Sequence, residues 1–266
     1  MTLPNSLEET ILQAKAATQL ALESGARRIQ VELVIPEIAL QAQALALDFA
    51  SIFDSYGSGL RVIFPDTGAA MLARRDWGET VFQLGDLGSR FIPVENKIKP
   101  EDEVFLVVCP SSVEINSVEK LCYLAEDRPV VLLIPQLEDV SVVGIGYAAR
   151  QLRERFLSIL ESCYYFRPLE SAIVYRSYPS LWQVWLEKED GYELISEQST
   201  KPMGEALENL ILKASSNTPN DGSNPANKAK KSGLFATMGR FLKALQQWHT
   251  PPVKLGCDGG FFPHCC

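Results

Sequence analysis

The stretch "EVFLVVCPSSVEINSVEKLCYLAEDRPVVLLIPQ", residues 103–136, decides the fold. Two short runs rich in Val, Leu and Ile, at 103–108 and 129–134, flank a segment at 113–126 that we predict to be helical. Near-continuous apolar runs of this length are typical of parallel strands covered on both faces. The stretch therefore predicts a β–α–β unit, the building block of a parallel sheet.

The same alternation continues on both sides of this unit. Ser6 and Glu9 form a capping-box pattern that begins a first helix, and Gly25 ends it. Further strands are predicted at 28–35, 60–64 and 80–86, and helices at 37–55, 68–77, 146–160 and 203–215. Between 163 and 198 the alternating pattern and the Asp190-Gly191 turn signal predict antiparallel strands. We therefore expect residues 1–215 to form a three-layer α/β domain with a mostly parallel open sheet and an antiparallel edge.

Four of the predicted strands end in an apolar residue, then proline, then a polar residue. They read "VIPE" (34–37), "IFPD" (63–66), "VVCPS" (107–111) and "LLIPQ" (132–136). Because proline has no N–H, we expect strand pairing to end there. In a parallel sheet these ends share the edge where open α/β folds place their ligands. The polar residues expected there are Glu37, Asp66, Thr67, Ser111, Ser112, Gln136, Glu138 and Asp139. The alternative is that the prolines only end strands and the polar residues cap helices.

A glycine motif precedes the helix predicted at 146–160. Gly144, Gly146 and Ala149 have the G-x-G-x-x-A spacing of a dinucleotide-binding fingerprint. That fingerprint normally follows the first strand, with an acidic residue about 20 positions later. Here it follows several strands, and Glu170, the possible acidic partner, lies in a turn-like context. Nucleotide binding and a tight packing turn both remain open interpretations.

Charge is distributed unevenly along the chain. Its net charge is −8, but residues 217–266 hold six Lys/Arg and two Asp/Glu, a balance of +4, which leaves −12 for residues 1–216. An acidic body argues against a nucleic-acid interface, because phosphate contacts need clustered Lys and Arg. No secretory signal and no apolar run long enough to span a bilayer are present, so we expect a cytoplasmic protein.

Charged residues concentrate in two segments of the predicted domain. "RRDWG" (74–78) contains two arginines and an aspartate, and Glu138 and Asp139 precede a helix that carries further arginines. Because Arg binds carboxylates and phosphates in bidentate fashion, these segments suggest a pocket for an anion or a partner protein. Its residues would be Asp66, Arg74, Arg75, Asp76, Glu138, Asp139, Arg150 and Arg153. A lattice of internal salt bridges is the alternative interpretation.

Metal or nucleophilic chemistry finds weaker support. Glu37, Asp66, Glu138 and Asp139 offer the oxygen ligands that magnesium prefers, but no spacing fixes them together, so we predict neither a metal nor another cofactor. The only histidines, His249 and His264, lie in the tail, so the body cannot contain a Ser/His or Cys/His pair. These observations favour a function without catalysis.

The C-terminal region is predicted to be separate from the domain. Residues 216–233 are a polar linker, 234–249 an amphipathic helix, and 250–266 a cysteine-rich disordered tail. The apolar face of the helix comprises Leu234, Phe235, Met238, Phe241, Leu242 and Leu245. A tethered basic helix of this kind can bind an anionic membrane, a partner protein or its own domain. The final cysteines could bind zinc, form a disulfide or do neither.

Several long stretches resemble one family. They are "LPNSLEETILQAKAAT" (3–18), "FPDTGAAMLARRDWG" (64–78), "EDRPVVLLIPQLEDVSVVGIGYAARQLRERF" (126–156), "CYYFRPLE" (163–170), "YPSLWQVW" (178–185) and "SGLFATMGRFLKAL" (232–245). They resemble domain-of-unknown-function family 1995 of cyanobacteria and chloroplasts. The resemblance implies a link to photosystem II assembly, known for some plant members, and to a domain appended to a chloroplast adenylate kinase. Without a transit-like N-terminus, the chain is similar to a cyanobacterial member.

Together, the residues and the resemblance lead to one functional expectation. We expect a non-enzymatic accessory protein of photosynthetic cells that binds a protein partner, such as photosystem II subunits or assembly factors, during biogenesis or maintenance of a thylakoid complex. The tail would bring it to the cytoplasmic face of the thylakoid membrane. The alternative is a nucleotide- or phosphometabolite-binding protein, or an enzyme, that uses the carboxyl ends of the strands.

Overall fold

A computed structural model describes residues 2–88, 91–137, 147–189 and 191–216, without the side chains of residues 148 and 149. Within these ranges the strands are Arg28–Leu33 (β1), Leu60–Phe64 (β2), Gln83–Asp86 (β3), Val104–Val108 (β4), Val130–Leu133 (β5), Glu161–Pro168 (β6), Ala172–Ser177 (β7), Trp182–Lys188 (β8) and Gly191–Gln198 (β9). The α-helices are Leu7–Glu23 (α1), Ala42–Ala50 (α2), Thr67–Trp77 (α3), Ile115–Leu124 (α4), Tyr147–Arg155 (α5) and Gly204–Ser216 (α6).

The strands of the described residues form one mixed sheet in the order β3-β2-β4-β5-β1-β6-β7-β8-β9. Every pair from β3 to β6 is parallel, and the pairs from β6 to β9 are antiparallel. The predicted parallel sheet with an antiparallel edge is therefore confirmed. The four proline-ended strands, β2, β4, β5 and β1, are direct neighbours, so their carboxyl ends do share one edge.

Helices cover both faces of the sheet. On β2, Val62 and Phe64 pack into a core with α1, α2 and α3, whereas Ile63 packs into a second core with α4 and α5. Since neighbouring strand residues point to opposite sides, we call these the first and the second face. A third, smaller core places α6 on β6, β7 and β8, also on the second face. On the second face, β1 lies between these two cores and contributes to neither of them.

Local sequence explains the ends of the helices. The Ser6 hydroxyl accepts a hydrogen bond from the Glu9 N–H at 3.1 Å, and the Glu9 carboxylate accepts one from the Asn5 N–H at 3.0 Å. This confirms the predicted start of α1. The helix predicted over 37–55 is shorter: α2 lies between two 3₁₀ segments, Ile38–Gln41 and Ser51–Gly59. Serine and glycine have low helix propensity, which explains why the regular helix does not continue through the second segment.

Candidate functional site

The second face of β1 carries polar side chains. Ile29, Val31 and Leu33 belong to the core on the first face, so the strand places Gln30 and Glu32 on the second face. By contrast, β5 beside it and β4 beyond β5 are apolar and contribute to the cores on both faces. Neither core of the second face includes a residue of β1. An open cleft lies above this strand.

The cleft lies where the chain changes sides. After β1 the chain runs to α2 on the first face, and after β5 it runs to α5 on the second. The chain therefore leaves the adjacent strands β1 and β5 toward opposite faces of the sheet. Open α/β sheets bind ligands at the carboxyl edge beside such a pair of strands. The cleft has a volume of about 740 Å³. Its polar lining includes Gln30, Glu32, Ser111, Ser112, Gln136, Arg167 and Lys201, and its apolar lining includes Ile35, Ile38, Leu137, Leu157, Leu160 and Leu169.

Two prolines shape the edge of this cleft. Cys109 and Ile134, the residues before Pro110 and Pro135, have left-handed backbones with φ of 46° and 47°. For a β-branched residue such as Ile134 this conformation costs about 1–2 kcal/mol. All four strands end before their proline, as expected, but one isolated bridge continues beyond two of them: the Gln136 N–H donates to the Pro110 carbonyl at 2.8 Å. Proline lacks a donor but keeps its acceptor, so the bent strand ends stay together.

An ion pair forms the floor of the cleft. The Lys201 ammonium donates to the Glu32 carboxylate at 2.9 Å, and the Ser162 hydroxyl donates to the same carboxylate. The two charged side chains are 20% and 10% exposed. The ammonium also lies 4.4 Å from the centre of the Tyr165 ring, within the range of a cation–π interaction. The Glu32 charge is therefore balanced inside the protein.

Arg167 adds a positive charge beside this floor. Among the described residues, no carboxylate lies within 4.0 Å of its half-buried guanidinium. Burial raises the pKa of the adjacent Tyr165 hydroxyl above its usual value, while Lys201 and Arg167 act against that rise. The hydroxyl therefore stays protonated at neutral pH. The cleft combines apolar walls with one arginine that lacks a balancing acid in the described structure.

A second polar cluster occupies the same edge at β2 and β3. Asp86 is 5% exposed and accepts hydrogen bonds from the Lys97 ammonium at 3.1 Å and the Gly88 N–H at 2.8 Å. The Thr67 hydroxyl donates to it at 3.2 Å. Burial by itself raises the pKa of Asp86, but these donors outweigh that effect and lower it. The partners are all internal, so this cluster holds the edge together.

The predicted polar residues of the edge are distributed between these two places. Ser111, Ser112 and Gln136 line the cleft. Asp66 caps α3 by accepting the Ala69 N–H at 3.0 Å, as the helix-cap alternative predicted, and Thr67 binds Asp86. Glu37 has a left-handed backbone and is exposed. Glu138 and Asp139 lie outside the described residues.

The structure does not bring the predicted arginines together. Arg74, Arg75 and Asp76 lie on α3 over the first face, and Arg150 and Arg153 on α5 over the second. The sheet separates the two groups, so they cannot share a pocket. Arg75 instead pairs with its neighbour Asp76 at 2.7 Å, which lowers the pKa of that aspartate.

Other predicted features are buried or lie outside the description. Cys122 is buried on α4, and burial raises the pKa of its thiol to about 12, so it packs as a small hydrophobic residue. In the ranges described, no group of three His, Cys, Asp or Glu residues could hold a metal ion. Gly144 and Gly146 of the fingerprint, the linker, the six apolar residues of the C-terminal helix and the cysteine-rich tail lie outside the described residues.

Sequence reasoning missed the floor of the cleft, although one signal was present. "RIQVEL" (28–33) alternates polar and apolar residues, unlike the uniformly apolar runs of β4 and β5. Such alternation is typical of a strand with one uncovered face. No comparable signal identifies Lys201, which lies 169 residues from its partner Glu32.

The family model called Domain of unknown function (DUF1995) matches residues 4–209 of the chain. The match contains all nine strands and both sides of the cleft, including Glu32, Arg167 and Lys201. The chain belongs to the DUF1995 family. No solved structure matches the chain. In the described residues, no helix is both long enough and apolar enough to cross a membrane.

Proposed function

We propose that this DUF1995 protein is a non-enzymatic accessory protein that binds a partner protein through the carboxyl edge of its sheet. The partner would be a subunit or assembly factor of a thylakoid complex related to photosystem II, bound during its biogenesis or maintenance. This setting rests on the resemblance of the chain to members from cyanobacteria and chloroplasts. The resemblance by itself does not indicate which surface is used.

One observation carries the choice of the carboxyl edge. Exposed apolar side chains follow three of the parallel strands there: Val34 after β1 at 44% exposure, Phe91 after β3 at 90% and Val113 after β4 at 83%. Exposed apolar residues scattered singly are ordinary, but these three lie along one edge of the sheet, after alternate strands in the order β3-β2-β4-β5-β1, where a single partner could contact them together. We call Val34, Phe91 and Val113 the edge residues.

The test is affinity capture from photosynthetic cells with the tagged full-length chain. We expect photosystem subunits or assembly factors to be enriched in the thylakoid fraction and identified by mass spectrometry. A double variant, Phe91→Ser with Val113→Ser, should reduce their recovery at least tenfold. The control Leu12→Ser, which changes an exposed residue on α1 that is 67% exposed, should leave recovery unchanged. Equal recovery by the double variant, or recovery of the chain alone, would contradict the proposal.

In this proposal the amphipathic helix predicted at 234–249 supplies the membrane contact. Its apolar face is flanked by Lys228, Lys230, Lys231, Arg240 and Lys243, as expected for a helix that binds anionic lipid. The full-length chain should float with anionic liposomes in a density gradient, and a chain ending at Gly233 should not. If the chain ending at Gly233 floats as well as the full-length chain, the predicted helix is not the membrane contact.

A further inference from the structure

We propose that the cleft above β1 binds a small amphipathic carboxylate, a molecule with one carboxylate head and an apolar body. The cleft shares Val34 with the edge residues, but Phe91 and Val113, whose substitution tests partner binding, do not line it. The two proposals can therefore fail separately.

Arg167 is the contact for the carboxylate head. Its guanidinium faces the cleft from β6, and none of the described carboxylates lies within 4.0 Å of it. The only carboxylate in the described lining is Glu32, whose charge Lys201 balances. Glu114 does not belong to the lining, and its carboxylate accepts a hydrogen bond from the Ser111 hydroxyl at 2.6 Å. Arg167, Lys201 and Glu32 together give the described part of the lining a net charge of +1, which matches a single carboxylate.

The walls are suited to an apolar body. Ile35 and Ile38 follow β1, and Leu157 and Leu160 follow α5, so two separate parts of the chain contribute apolar side chains to the lining. The volume of about 740 Å³ lies in the range of small-molecule sites. If a hydrocarbon chain enters, each added methylene should strengthen binding about fourfold.

The floor is held in place before a ligand arrives. Glu32 is fixed by Lys201 at 2.9 Å and by Ser162, and the Lys201 ammonium rests on the Tyr165 ring. Such a site loses little freedom on binding. A nucleotide polyphosphate fits less well, because it carries several negative charges where the described lining offers one net positive charge.

Calorimetry with decanoate as the probe tests this site directly in the full-length chain. Decanoate should bind with a micromolar dissociation constant, and octanoate about 15-fold more weakly, as two fewer methylenes require. Decyltrimethylammonium has the same chain with the opposite charge and should bind at least tenfold more weakly than decanoate. This comparison needs no variant.

Two variants assign the head-group contact. Arg167→Gln should weaken decanoate binding by about 10- to 100-fold, the usual effect of losing a charged hydrogen bond. It should leave decanol binding unchanged. Arg27→Gln, the same substitution at an exposed position beside the amino end of β1, should change neither. Circular dichroism confirms that each variant is folded.

Several results would overturn the proposal. They are the absence of decanoate binding, equal binding by Arg167→Gln, and tighter binding of decyltrimethylammonium or of decyl phosphate than of decanoate. Binding that appears only in a chain ending at Gly233 would also overturn it, because the tail would then be the natural occupant of the cleft.

Discussion

Replacing Lys201 with methionine tests how much the floor of the cleft contributes to stability. The substitution keeps an unbranched side chain against Tyr165 but removes the ammonium that lies 2.9 Å from Glu32. A charged hydrogen bond contributes about 1.5–3 kcal/mol, and a cation–π contact about 0.5–1 kcal/mol. Because the two side chains are 20% and 10% exposed, solvent reduces these values, and we expect a loss of about 2–3 kcal/mol.

The loss should appear in urea unfolding followed by circular dichroism, and as a fall in Tm of about 5–10 °C. The control Lys120→Met removes a cation from a pair with Glu95 that is 46% and 41% exposed, and should change stability by less than about 0.5 kcal/mol. Adding Glu32→Gln to Lys201→Met should recover part of the loss, because it removes the carboxylate left unbalanced. A double variant less stable than Lys201→Met alone would refute this reasoning.

Two further predictions concern buried titrating groups. The pKa of Asp86 is lowered in the folded chain, so its charge stabilises the fold above the ordinary aspartate pKa of about 4. Asp86→Asn should therefore lower the free energy of unfolding at pH 7, and the difference should vanish as the pH falls through the lowered value; a constant difference down to pH 2 would contradict this. Burial raises the thiol pKa of Cys122 and Cys163 to about 12. Peptide mapping should find both unmodified by iodoacetamide at pH 8 until urea unfolds the chain, and prompt labelling of Cys163 in the folded protein would argue against its burial.

The central strands β2, β4 and β5 were predictable because each is a short, mainly apolar run followed by proline. Leu60–Phe64 was predicted with the observed bounds, and the four X-Pro steps correctly placed their strand ends on one edge. Proline ends each of these strands but not all pairing, because the carbonyl of Pro110 still accepts a bond from Gln136. A rule based on the missing donor alone ignores the acceptor that remains.

The site was harder to predict, since it depends on which face each helix covers. Arg74 and Arg150 look similar in sequence, yet one lies over the first face of the sheet and the other over the second. Because β–α–β crossovers are right-handed, the strand order determines which face each helix covers, and the sequence alone does not provide that order. Glu32 and Lys201 are 169 residues apart in the sequence, so no local sequence pattern predicts their contact.

The position of β1 in the sheet also constrains how the chain folds as it is made. Ile29 pairs with Val131 on one side and with Glu161 on the other, so this early strand has no partner until most of the domain has left the ribosome. At about 5–20 residues per second, the 102 residues from Ile29 to its first partner Val131 (131 − 29) take roughly 5–20 s to synthesise. During that interval an unpaired strand is an aggregation hazard, and charges within it act as gatekeepers. Arg28 and Glu32, charged residues of a strand in the middle of the sheet, would keep the waiting segment in solution, and Glu32 also lines the finished cleft.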